Sequence, residues 1–294
     1  MKRRNALAAI PALALGSAAW AQQRPALDGP LRIVVGYAPG GSTDRVARIV
    51  GERLQARLGV PVVVENKTGA GGRLAAQQVR ITPAGQNVLM LGNPAVMLVA
   101  PLVFKDVGYD PDRDFVPVSH VNDYEFGIAV GSAIPVRELN HLLAWLRANP
   151  GKANFGVPAT GSLPHFFGLM VGAQAKVDAQ VVGYRGSAPA LMDLMGGQLA
   201  VAIDTFDTLL PQHQAGKIRV LAISSEKRSP FAPDIPTFKQ AGMNLSAIGW
   251  NAFFAPTSMP PERVAMLSRQ IAEIMQEPET QKRFYDTKMN PVVS

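Results

Sequence analysis

The chain has 294 residues, a formal charge of +7, 47% hydrophobic and 17% charged residues, and no cysteine. Without cysteine it has no disulfide, no thiolate metal ligand and no thiol nucleophile, so the fold is held by core burial alone. Its basic residues are scattered among acids, with no basic run interleaved with aromatics, which argues against nucleic acid as a partner.

The first 23 residues, MKRRNALAAIPALALGSAAWAQQ, read as a targeting segment. They have a basic start (Lys2, Arg3, Arg4), an apolar stretch from Ala6 to Leu15, and small residues ending in Ala19-Trp20-Ala21. Cleavage is expected after Ala21, making 1–21 a signal peptide and sending the product to the periplasm. Arg3-Arg4 leaves both the Sec and the twin-arginine routes open. Loss of the three basic residues lowers the charge of +7 to +4. The remaining chain is long enough for two domains, and no later apolar run is long enough to span a membrane.

From there, strand-like runs alternate with helical patterns, the signature of α/β units with mainly parallel strands. Ile33-Val34-Val35 reads as a buried strand, Tyr37-Ala38-Pro39-Gly40-Gly41 as a tight loop, and Thr43–Leu58 as a helix. Ser42 and Thr43 give an N-cap signal, and Asp44 suits the helix dipole. The two glycines leave backbone N–H groups uncovered beside a helix N-terminus, an arrangement that suits a carboxylate or phosphate. The plainer alternative is an ordinary strand-to-helix turn. Strand Val62–Glu65 leads through a glycine-rich stretch, Asn66 to Gly72, to a helix near Leu74–Arg80. Val88–Leu91 is a strand ending at Gly92-Asn93-Pro94. Phe126–Val130 is another, and Leu139–Asn149 is helical.

The second half repeats the theme. Strand Asn154–Val157 leads through Pro158 to Pro164 into helix His165–Gln174. Strand Gln180–Val182 leads through Gly183-Tyr184-Arg185-Gly186-Ser187 into helix Ala188–Met195. Strand Leu199–Ile203 leads through Asp204-Thr205 to a helix near Asp207–Gln214. Arg219–Ser224 and Ala252–Ala255 are strands, and Pro260-Pro261 opens helix Glu262–Gln276. The loops that follow the strands' carboxyl ends are rich in Gly, Ser and Thr, and ligands of open α/β sheets bind outside those ends.

Complete catalytic and cofactor motifs are missing. There is no Walker pattern, no G-x-G-x-x-G after a strand, no G-x-S-x-G elbow and no H-E-x-x-H. Gly69-Ala70-Gly71-Gly72 is read as a turn rather than a phosphate site. His120, His141, His165 and His213 show no metal spacing, so neither a metal nor a cofactor is expected. His165 follows Thr160-Gly161-Ser162 at a helix start, either as a structural residue or facing a cleft. Asp204 ends an apolar strand, and a carboxylate there needs partners: it caps a helix, braces a loop or accepts a hydrogen bond from ligand. Ser42 or Ser162 with His165 and Asp204 has the residue types of a hydrolytic triad, but the elbow is missing.

Taken in order, several segments resemble the Bug family, the TctC-like extracytoplasmic solute receptors of tripartite tricarboxylate transport. They are Tyr37-Ala38-Pro39-Gly40-Gly41-Ser42-Thr43-Asp44, the stretch Val62 to Gly72, Tyr109 to Val118, Gly161-Ser162-Leu163-Pro164-His165, Tyr184 to Leu191, Gly196-Gly197-Gln198 and Ala222 to Ser229. The resemblance implies an α/β, two-lobed periplasmic-binding-protein fold of type II with a ligand cleft between the lobes. The expected lobes are 22–122 plus 242–294, and 123–241. It also implies that a ligand carboxylate is gripped by backbone amides and ordered waters from loops matching Ala38–Thr43 and Thr160–Ser162, with Asp204 matching the family's aspartate. The expected site comprises Tyr37, Ala38, Pro39, Gly40, Gly41, Ser42, Thr43, Asn93, Thr160, Gly161, Ser162, His165, Tyr184 and Asp204. The expected partners are a small carboxylate and the membrane subunits of a tripartite transporter or a sensor kinase, with the receptor a monomer.

Two departures stand out. The family pattern continues past a segment like Asn290-Pro291-Val292 with another helix, whereas this sequence stops at Ser294. Leu89-Met90-Leu91-Gly92-Asn93-Pro94 is more apolar than the family's hydroxyl-rich form, and Asn93 there is expected to alter side-chain selectivity. The exported hydrolase remains the alternative to a binding protein at this point.

Overall fold

The computed structural model describes residues 27–294, so the expected signal segment lies outside the described residues. The chain first builds β1 (Leu31–Val35), α1 (Ser42–Leu58), β2 (Val62–Asn66), α2 (Arg73–Arg80) and β3 (Val88–Gly92). Short helices α3 (Ala100–Val103) and α4 (Pro111–Asp114) lead into β4 (Phe115–Tyr124). One residue later, β5 (Phe126–Gly131) opens a second sheet. It continues with α5 (Leu139–Ala148), β6 (Asn154–Val157), α6 (Leu163–Ala175), β7 (Gln180–Gly183), α7 (Ser187–Met195), β8 (Val201–Thr205), α8 (Phe206–Gln214) and β9 (Ile218–Ile223). The chain then returns to the first sheet with β10 (Gly249–Pro256), α9 (Pro261–Gln276), α10 (Pro278–Asp286) and β11 (Asn290–Pro291).

The two sheets have strand orders β11-β4-β10-β3-β1-β2 and β7-β6-β8-β5-β9. The expected parallel pairing holds for β1 with β2 and β3, and for β6 with β7 and β8. It fails elsewhere: every antiparallel pair involves β4, β5 or β10, the strands that carry the chain between sheets. A parallel neighbour needs a long crossover, which a one-residue passage from β4 to β5 does not supply.

Each sheet is covered on both faces, which is why β1 and β3 are buried almost throughout. Val46, Val50 and Leu54 of α1 pack with Leu267, Ile271 and Ile274 of α9 over Leu31, Ile33 and Val35. On the opposite face, Val34 and Met90 meet Ala75, Ala76 and Val79 of α2. In the second sheet, Ile128, Phe155 and Ile203 pack with Leu142 and Leu146 of α5 and Phe167 and Val171 of α6. Ala129 and Ala202 face Leu194 of α7 and Phe206, Leu209 and Leu210 of α8. No helix of the described residues is long and apolar enough to cross a membrane.

Three local differences from the sequence reading have physical causes. Strand β4 contains Pro117, which cannot donate to a ladder; the strand tolerates it because its register against β10 shifts between Phe253 and Phe254, at the Pro117 pair. Strand β8 runs to Thr205, so Asp204 lies inside the strand, opposite Gly127, rather than beyond its end. The return segment stays with the second sheet past residue 242: Met243 and Leu245 join its core, and the Ala247 N–H donates to the Ser224 carbonyl at 2.9 Å.

Candidate functional site

A cavity of about 700 Å³ opens between the two sheets. It lies at the carboxyl ends of β1, β2 and β3 on one side and of β6, β7 and β8 on the other. Its walls are the loops that follow these strands.

The loop after β1 is fixed from beneath. The Asp44 carboxylate accepts the Gly40 N–H at 2.8 Å, Arg48 Nε at 2.9 Å and Asn66 Nδ2 at 2.8 Å. Hydrogen bonds from Arg48, Gly40 and Asn66 outweigh the cost of burial and hold this carboxyl below the ordinary range. Gly40 takes φ +80°, a left-handed backbone that allows the chain to turn into α1. The first helical bond runs from the Arg45 N–H to the Gly41 carbonyl at 3.0 Å. The N–H groups of Ser42, Thr43 and Asp44 precede it and have no intrahelical acceptor. Behind them, Thr43 Oγ1 donates to Asn251 Oδ1 at 3.2 Å, and Asn251 Nδ2 donates to Asn122 Oδ1 at 2.9 Å, all buried. This chain of side chains ties the helix start to the middle of the sheet.

The facing loops are equally braced. The Gly186 N–H donates to the Pro158 carbonyl and the Tyr184 N–H to the Val157 carbonyl, both at 2.8 Å. Ser162 caps α6, accepting the His165 N–H at 3.4 Å and donating to the Ala159 carbonyl at 2.7 Å. The Tyr184 hydroxyl donates to Asp193 at 2.8 Å. Helix N-termini from both halves, those of α1, α2, α6 and α7 and the Thr205 cap of α8, therefore converge on one cavity, each contributing partial positive charge.

Asp204 is the one carboxylate among the lining residues, and it is 3% exposed. Burial pushes its pKa up to about 7, against the opposing pull of the Ser187 hydroxyl and the Thr205 N–H. Burial likewise pushes the Tyr37 phenol up to about 12, keeping it a neutral donor to the Gly71 carbonyl at 3.1 Å.

The two halves touch on either side of the cavity. Gly71, at φ +67°, lies so close to the other half that a Cβ there would sit 2.7 Å from the Gly161 carbonyl. Arg45 of α1 forms an ion pair with Asp207 of α8. The Phe231 and Tyr285 rings, one from each half, lie 6.3 Å apart.

Of the residues singled out from sequence, Tyr37, Ala38, Pro39, Gly41, Ser42, Thr43, Asn93, Thr160, Ser162, Tyr184 and Asp204 line the cavity. Gly40, Gly161 and His165 do not. The Gly40 N–H is taken by Asp44 and its carbonyl by Arg45 at 2.7 Å. Gly161 presents its backbone to Gly71. The His165 ring packs beside Phe166, its Nδ1 buried without a hydrogen-bond partner, and burial lowers its pKa. No triad is assembled: Ser42 Oγ points to Met289 Sδ at 3.8 Å, Ser162 Oγ bonds the backbone, and Asp204 accepts the Thr205 N–H at 2.7 Å.

Sequence reasoning missed the loop after β2. Thr68, Gly69, Ala70, Gly71, Gly72 and Arg73 all line the cavity, where a simple turn was expected. The signal was present, since this glycine-rich run follows a strand's carboxyl end and precedes a helix, as the loop after β1 does. Arg185 and Thr205, on loops already marked as following strands, also line the cavity, as do Phe104 and Tyr124, which carried no such signal.

Comparison with known proteins gives a consistent result. The family model described as tripartite tricarboxylate transporter family receptor matches residues 46–294. Protein BugT of Bordetella pertussis is 32% identical over 267 residues, covering 90% of this chain and 82% of BugT. A Rhodopseudomonas palustris protein solved with adipate superimposes with a TM-score of 0.85 at 30% identity, covering 90% of this chain and 89% of the other. MatC from the same organism, solved with bound malate, gives 0.84 at 28% identity and 90% coverage of both chains.

Proposed function

The chain belongs to the tripartite tricarboxylate transporter receptor family, and from that membership we propose that it captures a small organic carboxylate in its interlobe cavity and releases it unchanged to the membrane subunits of a transporter. It is a solute-binding receptor with the two-lobed fold of periplasmic binding proteins. The observation that carries the ligand class is the convergence of helix N-termini from both halves on one cavity, with the Ser42, Thr43 and Asp44 N–H groups lacking intrahelical acceptors. Such a site favours an anion without needing a charged clamp. The adipate and malate seen in the two R. palustris relatives are ligands of this chemical type.

In this reading one carboxylate sits against the loops Ala38–Thr43 and Thr160–Ser162, and Asp204 orients the ligand or its first waters. Export removes residues 1–21, and the periplasmic form binds as a monomer. The test is a thermal-shift screen of the secreted form against mono-, di- and tricarboxylic acids. A ligand at 100 times its Kd should add about 2.7 kcal/mol of stability. The acid should be recovered chemically intact after incubation. A chain that no carboxylic acid stabilises, or that converts the acid it binds, would refute this reading.

A further inference from the structure

We propose that Arg73 reads a second anionic group on the ligand, so that this receptor selects dicarboxylates over monocarboxylates of the same length. The inference rests on the solute-binding reading above and adds to it a residue and a charge rule.

Arg73 is placed against its local preference. It is the first residue of α2, where the helix dipole disfavours a cation, and that first turn contains no acid to offset it. Something other than helix stability accounts for its position. Its guanidinium carbon lies 3.6 Å over the centre of the Phe104 ring, and both residues line the cavity. Stacking fixes the planar group and reduces the rotamer entropy a ligand would otherwise have to freeze.

The group so held has no anion of its own. Among the described residues, the Arg73 side chain forms neither an ion pair nor a hydrogen bond, whereas Arg45 and Arg48 of the same lobe each hold a carboxylate. It also faces the opposite lobe: a Cβ added at Gly161 would lie 3.4 Å from Arg73 Nη1. Arg73 therefore sits where the two lobes meet, on the wall of the cavity. The guanidinium presents a fork of donors that matches a carboxylate bidentately. The lining carries Arg73 and Arg185 against the single carboxylate of Asp204, so the charge balance of the cavity is positive. A ligand whose first carboxylate occupies the amide loops would bring a second one to Arg73.

The experiment measures Kd by calorimetry at pH 7.5 for three matched pairs: succinate and butyrate, glutarate and pentanoate, adipate and hexanoate. Wild type, Arg73→Gln and Arg73→Lys are compared. In at least one pair the wild type should bind the diacid tenfold or more tightly than the monoacid. Arg73→Gln should bring that ratio to within twofold by weakening the diacid alone, and Arg73→Lys should retain part of it. A wild type with no preference for the diacid in any pair overturns the proposal without recourse to a variant. So does an Arg73→Gln that keeps the ratio, or that weakens both acids alike, as mere loss of cover over Phe104 would do. In these cases the receptor still binds carboxylates and only the role of Arg73 falls. If none of the six acids binds, this proposal falls, and the carboxylate reading falls with it only where the wider screen of acids also stabilises nothing.

Discussion

At the scale of single residues, Asp204 couples the cavity to pH. Its folded-state pKa of about 7 stands above the ordinary 3.8 because its charged form is buried. Between those values the folded chain holds a proton that the unfolded chain has released, so stability falls as pH rises through the window and levels off above it. At about 1.4 kcal/mol per pH unit, the ceiling on this loss is ~4 kcal/mol. Asp204→Asn keeps an acceptor for the Thr205 N–H and cannot ionise. It should therefore melt close to wild type near pH 4.5 and progressively higher than wild type toward pH 8. A Tm difference that is the same at every pH would mean that Asp204 does not carry this titration. Of the two glycines in the loop after β1, Gly41 is the unstrained one. Its φ is −71°, and a Cβ there would lie 3.4 Å from the Ala38 carbonyl, an ordinary contact. Strain belongs instead to Gly40, whose φ is +80°. The sequence pair Gly40-Gly41 announces the turn but does not tell which member bends.

At the scale of elements, α1 and α8 are joined by the ion pair of Arg45 and Asp207, with side-chain exposures of 26% and 2%. Removing one partner of a buried pair leaves an uncompensated charge, at a cost of up to about 3–5 kcal/mol. The more deeply buried partner is the one that suffers, so Arg45→Met, which strands Asp207, should destabilise more than Asp207→Asn, which strands a guanidinium nearer to water. Urea unfolding of the two variants checks the order; the reverse order would mean that Arg45, not Asp207, bears the desolvation cost. Much of the element plan was legible in the sequence because apolar runs bounded by Gly and Pro mark strands under helices on both faces. The stretch Phe115–Tyr124 escaped, since Pro117, Ser119, His120, Asn122 and Asp123 break any apolar run. Its place beside β10 depends on a bulge and on the Asn122–Asn251 hydrogen bond, both made with a distant segment. Helix α10 escaped because only Thr280 and Phe284 are buried; ion pairs from Arg283 to Glu52 and from Arg53 to Glu277 dock it and the end of α9 on α1. The amide loops of the site were visible as Gly, Ser and Thr after strands. The Arg73–Phe104 stack was not, because it joins residues on separate loops that only folding brings together.

At the scale of the whole molecule, two sheets are linked where β4 passes into β5 through Glu125 and where the chain returns into β10. At that hinge a Cβ on Gly249 would collide with the Tyr124 ring, so the paired ends of β4 and β10 are packed backbone against aromatic. The contacts that hold the cavity shut are few and lie on its margins: Arg45 with Asp207, Gly71 against Gly161, and Phe231 beside Tyr285. Few contacts of this kind favour a modest free-energy difference between closed and open arrangements, and a ligand that touches both lobes adds its binding energy to the closed one alone. Small-angle scattering should therefore show a smaller radius of gyration when the chain is saturated with an acid it binds than when it is free of ligand. Asp207→Asn weakens one marginal contact and leaves the hydrogen bond from Arg45 to the Gly40 carbonyl in place, so the free variant should be larger than the free wild type, and saturation should bring both to the same compact limit. The variant's affinity should fall by the factor its open population imposes, since closure then draws more of the binding energy. Identical radii for wild type and variant, free and saturated, would place the lobes in one fixed arrangement and leave the Arg45–Asp207 pair as a static brace.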